Sequence, residues 1–288
     1  MTSAPENRLD GKVCLVTGAT HGIGLVTVQA LAKLGATLIV HGRDPALTER
    51  IAGEIRAKTG NQAVSTVIAD FSSLDQVRRM AAAVVERHPK LDVLLNNAGT
   101  TVSSYRRTAD GFEWHFGVNH LAPFLLTNLL LDKVKAAAPA RIVTVASGAH
   151  RRAQVDFDDL NLEKKYNTLT GYSVSKLENI LFTKELARRL DGTGVTANCL
   201  HPGGVATNIF SHGGAFIKYA TMLARPLLIS AEKGAETQIY LATSPEVAGI
   251  SGEYFDKCKV AKPSPRAEDM EAAKRLWEVS AKLTGIAA

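Results

Sequence analysis

From Lys12 to about Asp256 the chain alternates between short apolar runs and longer segments in which apolar residues recur every three or four positions. The runs KVCLVTG, ATLIVHG, QAVSTVIAD, LDVLLNN, RIVTVAS, VTANCLHP and SGEYF are rich in Val, Ile and Leu and read as strands. Between them the spacing predicts helices over Ile23–Leu34, Pro45–Lys58, Leu74–Arg87 and Val118–Lys135, with another opened by Tyr172. Strands without polar alternation, separated by helices of about 12 residues or more, mark a parallel sheet covered on both faces. The predicted fold is therefore α/β, a doubly wound seven-stranded parallel sheet flanked by helices.

Two stretches break the alternation. AHRRAQVDFDDLNLEKKYNTLTG, between Ser147 and Tyr172, is too long for an ordinary strand-to-helix connection, and NIFSHGGAFIKYATMLARPLLI, near 207–230, is apolar but interrupted by Gly, Lys and Arg. Both follow the C-terminal ends of predicted strands, where this architecture puts its ligand crevice, and loops of that length are usually functional or disordered. The second reads as a substrate lid, with a membrane-contact segment as the alternative. No repeat or low-complexity linker divides residues 1–288, so one domain is expected, its core over 9–256. The tail at 259–288 should form a last helix around Glu268–Lys282.

Mean hydropathy near zero and 45% hydrophobic content describe a globular chain able to bury a large core. MTSAPENRLDGK lacks an apolar h-region, and no run of about 18 uncharged apolar residues could cross a bilayer, so a cytoplasmic location without an integral membrane segment is expected. Cys14, Cys199 and Cys258 are too scattered for a disulfide framework, and with no CxxC or HExxH spacing no metal is expected. The formal charge of +6 is spread along the chain rather than gathered in a basic run, which argues against nucleic acid.

The first strand ends in TGATHGIG, placing Gly18, Gly22 and Gly24 in the turn that opens the first helix. Glycine there permits positive φ and lets backbone N–H groups approach a pyrophosphate, whose charge the helix N-terminus favours. Thr20, His21 and Ile23 complete that cradle. The spacing is not GxGxxG, and no Gly-Lys-Ser/Thr closes a Walker loop. A glycine turn with no ligand is the alternative, and its position directly after the first strand argues against it. At the end of the second strand, LIVHGRD, an acid would bond the ribose 2′-OH of NAD. His41 and Gly42 stand there instead, followed by Arg43, whose guanidinium suits a 2′-phosphate. Asp44 could reach the ribose, but before Pro45 it reads more as a helix N-cap. The cofactor is expected to be NADP(H), making a Rossmann fold.

In GYSVSK, Tyr172 and Lys176 lie about one helical turn apart and so share a face. A solvated pair is the bland alternative. Taken with TGATHGIG, NNAG at 96–99, VASG at 145–148 and HPGGVAT at 201–207, however, the stretch resembles the short-chain dehydrogenase/reductase family over about Leu9 to Asp256. HGRD, DGFEWHFGVNHLAPFLLTNLLL and DFDDLNLEKKYNTLTGYSVSKLENILF resemble its retinol-dehydrogenase-like branch.

That resemblance implies catalytic roles for Asn119, Ser147, Tyr172 and Lys176. It implies that Asp70 and Phe71 border the adenine, that Asn97, Ala98 and Gly99 flank the cofactor, and that Pro202, Gly203, Val205 and Thr207 lie on the nicotinamide side, with Ile23 behind the ring. Tyr172 and Lys176 also touch the cofactor. Asn96 reads as a structural strand-end residue; His201 is left unassigned. By the resemblance Asn119 would hold a water in a proton relay; its side chain satisfying a helix kink is the structural alternative, and the two are compatible. Hydride transfer to a carbonyl leaves an alkoxide that needs a proton, and Tyr172 is the acid for it, with Lys176 lowering the phenol and Ser147 donating to the same oxygen. His115, His120, His150 and His212 read as solvated or locally bonded, with His150 the one near enough to Ser147 to reach substrate; Trp114 and Phe116 read as packing. The expectation is an oxidoreductase interconverting a carbonyl and an alcohol, on a bulky apolar substrate such as a lipid-derived aldehyde, an isoprenoid or a polycyclic ketone. A non-catalytic NADP-binding redox sensor is the alternative. A homo-oligomer is possible, as in relatives of the family.

Overall fold

The computed structural model describes residues 8–204 and 229–287. Its strands are β1 (Val13–Val16), β2 (Thr37–Gly42), β3 (Val64–Ile68), β4 (Val93–Asn96), β5 (Ala140–Val145), β6 (Val195–His201), β7 (Tyr254–Asp256) and β8 (Lys259–Val260). They form one sheet in the order β3-β2-β1-β4-β5-β6-β7-β8. The first seven run parallel, as expected; the short β8 is an eighth strand, antiparallel to β7 through Phe255↔Val260 and Asp256↔Lys259.

Helices α1 (Gly22–Lys33), α2 (Pro45–Thr59) and α6 (Ala231–Thr243) lie on one face, and α3 (Leu74–Arg87), α4 (Ala122–Lys135), α5 (Thr168–Arg189) and α7 (Met270–Thr284) on the other. Alternation within a single strand feeds both layers. Val13 and Leu15 of β1 join the cluster containing Met80, Phe124 and Phe182, while Cys14 and Val16 join the one containing Val28, Leu31 and Ile55. With every residue of β1 and β4 buried, the strands carry no polar face. Burial pushes the thiols of Cys14 and Cys199 up to about 12, so both remain protonated core residues.

Several helices depart from the sequence reading. α5 opens at Thr168 rather than Tyr172, because the Asn167 side chain accepts from Leu169 N at 2.8 Å and Thr170 N at 3.4 Å. The helix expected from Val118 begins as a π-helical turn over Phe116–Leu121, and only Ala122–Lys135 is regular. α6 fills a segment in which no helix is predicted, and α7 runs two residues later than expected at each end. Most of the lid at 207–230, with His212, lies outside the described residues. Among the described residues no helix is long and apolar enough to cross a membrane.

The order of strands reverses between β1 and β4, which opens a crevice beyond their carboxyl ends. The turns leaving the two strands are stitched together: Asn97 N and Ala98 N both donate to Thr17 Oγ1, at 3.0 and 2.9 Å.

Candidate active site

The glycine turn after β1 is packed too tightly for side chains. A Cβ on Gly24 would stand 2.4 Å from Gly18 O and 2.5 Å from Asn97 Nδ2. Gly18 and Gly22 hold φ of 63° and 55°, left-handed values that favour glycine. α1 then begins with His21 as N-cap, which makes no side-chain capping bond, and its first turn contains no acid. Its leading N–H groups are thus left to an anion, and a pyrophosphate fits that demand.

His41 holds this turn from behind. Nδ1 accepts from Gly18 N at 3.1 Å, Nε2 pairs with Ala69 O at 3.0 Å, and the ring stacks on Phe71 at 4.6 Å. Burial lowers its pKa to about 4, so the imidazole is neutral and Nε2 carries the proton given to Ala69 O. Arg43 follows as an exposed side chain with no ion pair among the described residues, available to a phosphate. Asp44 caps α2, accepting from Leu47 N at 2.9 Å. At the end of β3, Asp70 Oδ1 accepts from Ser72 N at 2.9 Å, and Phe71 is buried. Asn97 spends its side-chain donor on Thr17 O and Gly18 O, and Asn96 donates to Thr127 Oγ1 at 2.9 Å as a strand-end brace.

The second half of the site gathers at the ends of β4 and β5. Lys176, 3% exposed, reaches from α5 to donate to Val145 O at 2.9 Å. Its Nζ lies 5.7 Å from the centre of the Tyr172 ring, so the turn-length spacing does place the cation beside the phenol. Gly99 makes room for it: a Cβ there would stand 3.3 Å from Lys176 Nζ and 3.6 Å from Asn119 Oδ1. Ser147 follows β5, its Oγ accepting from Ala149 N at 3.2 Å.

Burial is the larger influence on the phenol. It raises the Tyr172 pKa above its ordinary value, and the hydrogen bond with Ser147 opposes it. Burial pushes Lys176 itself down to about 8.

Asn119 sits within the π turn, buried, and its amide is spent. Oδ1 accepts from Thr100 N at 2.8 Å, while Nδ2 donates to Thr100 O and Ser175 Oγ, both at 3.0 Å. The side chain thus ties the π turn to the loop at Thr100 and to α5. Both ring nitrogens of His150 are engaged: Nδ1 pairs with Ser147 O at 2.6 Å and Nε2 accepts from Ser264 N at 3.0 Å. His115 and His120 are buried and hydrogen-bonded, His115 to Thr101 and Glu113 and His120 to Ser280, rather than solvated. His201 fixes the backbone after Ser147, its Nδ1 accepting from Gly148 N at 3.1 Å. Ile23, Pro202 and Gly203 are half-buried around the crevice; Val205 and Thr207 lie outside the described residues. Among the described residues, no group of three or more His, Cys, Asp or Glu could hold a metal.

Sequence reasoning missed the clamp at His41, whose signal was a polar ring inside an apolar strand. It also missed a buried pair, Glu113 and His115, separated by 2.8 Å behind Tyr172.

A glycine turn with an uncapped helix after β1, a basic residue after β2, and a Tyr and Lys on one helix face beside a strand-end Ser have counterparts in known proteins. A model of the short chain dehydrogenase family matches residues 12–215. The chain is 46% identical to retinol dehydrogenase 13 of Homo sapiens over 97% of its own length and 86% of that protein's. It is also 46% identical to retinol dehydrogenase 14 of Mus musculus, over 96% and 87%. Among solved structures, an uncharacterized protein from Mycobacterium paratuberculosis aligns with a TM-score of 0.79 at 33% identity, covering 98% of this chain and 97% of that one. The Pseudomonas aeruginosa RhlG/NADP active-site complex aligns at 0.70 and 26% identity, over 86% and 95%. The chain belongs to the short-chain dehydrogenase family, in the branch of the retinol dehydrogenases.

Proposed function

We propose that this protein is an NADP(H)-dependent oxidoreductase that interconverts a carbonyl and an alcohol on a bulky apolar substrate, with reduction as its working direction. The observation that carries the reading is the meeting of Tyr172, Lys176 and Ser147 at the carboxyl end of β5, beside a turn built for a pyrophosphate. NADPH, when bound, supplies the hydride. The glycine turn and the start of α1 would hold its pyrophosphate, Arg43 its 2′-phosphate, and Lys176 its nicotinamide half.

Each residue's task follows from its place. Tyr172 gives its proton to the substrate oxygen as that oxygen gains charge, and Ser147 donates a hydrogen bond to the same atom. A phenol raised by burial is protonated at neutral pH, which is the form reduction requires. Lys176, fixed by Val145 O, keeps a cation on the phenol's face and eases the loss of that proton. Asn119 acts from behind by fixing Thr100, whose neighbour Gly99 borders the lysine.

NADP is supported by Arg43, which has no ion pair among the described residues, where an acid would select NAD, and by the solved RhlG/NADP complex. The apolar substrate is supported by the apolar composition of residues 207–230 and by relatives named for retinol. The test is a carbonyl panel, from short polar aldehydes to bulky isoprenoid and polycyclic ones, following NADPH absorbance. Turnover should favour the bulky members, and Tyr172→Phe should abolish it while leaving NADPH affinity within about twofold, since only the proton donor is removed. Higher kcat/KM on short polar carbonyls would sink the substrate class. Cofactor binding without turnover on any member would sink the enzyme and favour a redox sensor.

A further inference from the structure

Behind Tyr172 lies a pair of side chains that the chemistry above does not use. Glu113 and His115 are 1% and 0% exposed, and His115 Nδ1 stands 2.8 Å from Glu113 Oε1. The other ring nitrogen, Nε2, receives the backbone N–H of Val102 at 3.4 Å and lies 3.1 Å from Thr101 Oγ1. A backbone N–H can only donate, so Nε2 is an acceptor and the imidazole's proton is on Nδ1, given to the carboxylate. Glu113 uses its other oxygen as well, accepting from Phe116 N at 2.9 Å, and its own N–H donates to Asn161 Oδ1 at 2.9 Å. Nearby on α5 is Glu178, whose carboxyl is raised well above the usual range by burial and by the charge of Glu113.

What the pair joins gives it a role. Val102 and Thr101 continue the loop that begins at Gly99 beside Lys176; Phe116 opens the π turn that carries Asn119; Asn161 belongs to the long connection between Ser147 and α5. The pair also abuts α5 one residue before Tyr172: a Cβ on Gly171 would stand 2.9 Å from His115 Nδ1 and 3.4 Å from Glu113 Oε1. The Tyr172 ring meets the imidazole edge-on, with centroids 6.3 Å apart.

We infer that Glu113 and His115 form a positioning dyad that fixes the loop beside Lys176, the π turn of Asn119 and the first turn of α5 in one arrangement, and so sets the rate of proton and hydride delivery rather than cofactor affinity. The inference rests on the assignment of Tyr172 as the acid. Neither residue touches substrate or cofactor; both act through the backbone they hold. Misplacement of reacting groups by about 1 Å can cost on the order of a hundredfold in rate.

Two half-replacements separate the dyad's bonds. An asparagine at 115 offers a donor near the Nδ1 position and keeps the bond to Glu113, whereas a glutamine offers an acceptor near Nε2 and keeps the bonds from Thr101 and Val102. Glu113→Gln leaves a single acceptor oxygen where two are needed. The experiment measures kcat per NADPH-binding site, NADPH affinity, melting temperature and the primary isotope effect with deuterated NADPH. Site normalisation keeps a partly unfolded variant interpretable. Expected are a kcat lowered about tenfold to a hundredfold in His115→Asn and Glu113→Gln, less in His115→Gln, NADPH affinity within about twofold, and an enlarged isotope effect as the chemical step becomes slower. A kcat per site within twofold of wild type in all three, whatever their melting temperatures, would overturn the inference. So would a loss confined to NADPH affinity. Tyr172→Phe in the same assay keeps the two claims apart: if that variant turned over normally, the assignment of the acid would fail whatever the dyad variants did.

Discussion

At Arg43 the choice between two dinucleotides reduces to one guanidinium. It is exposed and without an ion pair among the described residues, so a 2′-phosphate meets no competitor for its fork of donors. Arg43→Asp should lower the preference for NADPH over NADH at least tenfold, about 1.4 kcal/mol, in parallel titrations of the two cofactors. His41, two residues earlier, was legible only as the absence of an acid. Its bonds to Gly18 N and Ala69 O could not be foreseen, because they depend on β1 and β3 flanking β2. They carry a pH consequence. The folded protein holds His41 near 4 against an ordinary 6.5, so between those values the unfolded chain binds more protons. The stabilisation is complete above pH 6.5 and is lost as pH falls toward 4, amounting to about 2 kcal/mol at pH 5. Urea unfolding at pH 7 and pH 5 should show a smaller difference for His41→Gln than for wild type.

Among the elements, α5 shows what periodicity reveals and what it hides. The Tyr-Lys spacing placed both side chains correctly on one face, yet the helix begins four residues before Tyr172, where Asn167 satisfies two leading N–H groups. The cap was present in the sequence as Asn before Thr-Leu-Thr, a local signal that the catalytic motif overshadowed. Asn167→Ala should cost about 1 kcal/mol and lower the melting temperature by a few degrees. Helix α6 was missed for a different reason. It buries Gly234, Ala235, Thr237, Gln238, Leu241 and Ala242, with Leu241 the one large aliphatic among them, and Gln238 Nε2 donates to Ile23 O at 3.1 Å. A helix held by such contacts has little hydrophobic period to find. The π turn at 116–121 was legible only as a disturbance: Asn119 and Pro123 interrupt good helix formers, while the bond from Thr100 N to Asn119 Oδ1 is a contact that no local pattern reveals.

For the molecule as a whole, the alternation of strands and helices was enough to give the parallel sheet, because β1 and β4 are apolar on both faces and the connections between strands are helical. The C-terminal segment is more than a tail. Trp277 of α7 stacks on Phe182 of α5 at 5.9 Å, meets Phe124 of α4 edge-on at 4.9 Å, and lies under the Arg189 guanidinium at 4.4 Å. It thus supports the helix that carries Tyr172 and Lys176 at its other end. Trp277→Ala should destabilise the fold by about 3–5 kcal/mol, measured by chemical denaturation. The feature least visible in sequence is β8, whose two residues are too few for any periodicity to register. It lies where an open sheet would otherwise offer the backbone of β7 to any passing chain. By folding back on itself there and presenting Lys259 outward, the polypeptide spoils that template, and crowded copies should remain dispersed on this flank instead of zipping into aggregates.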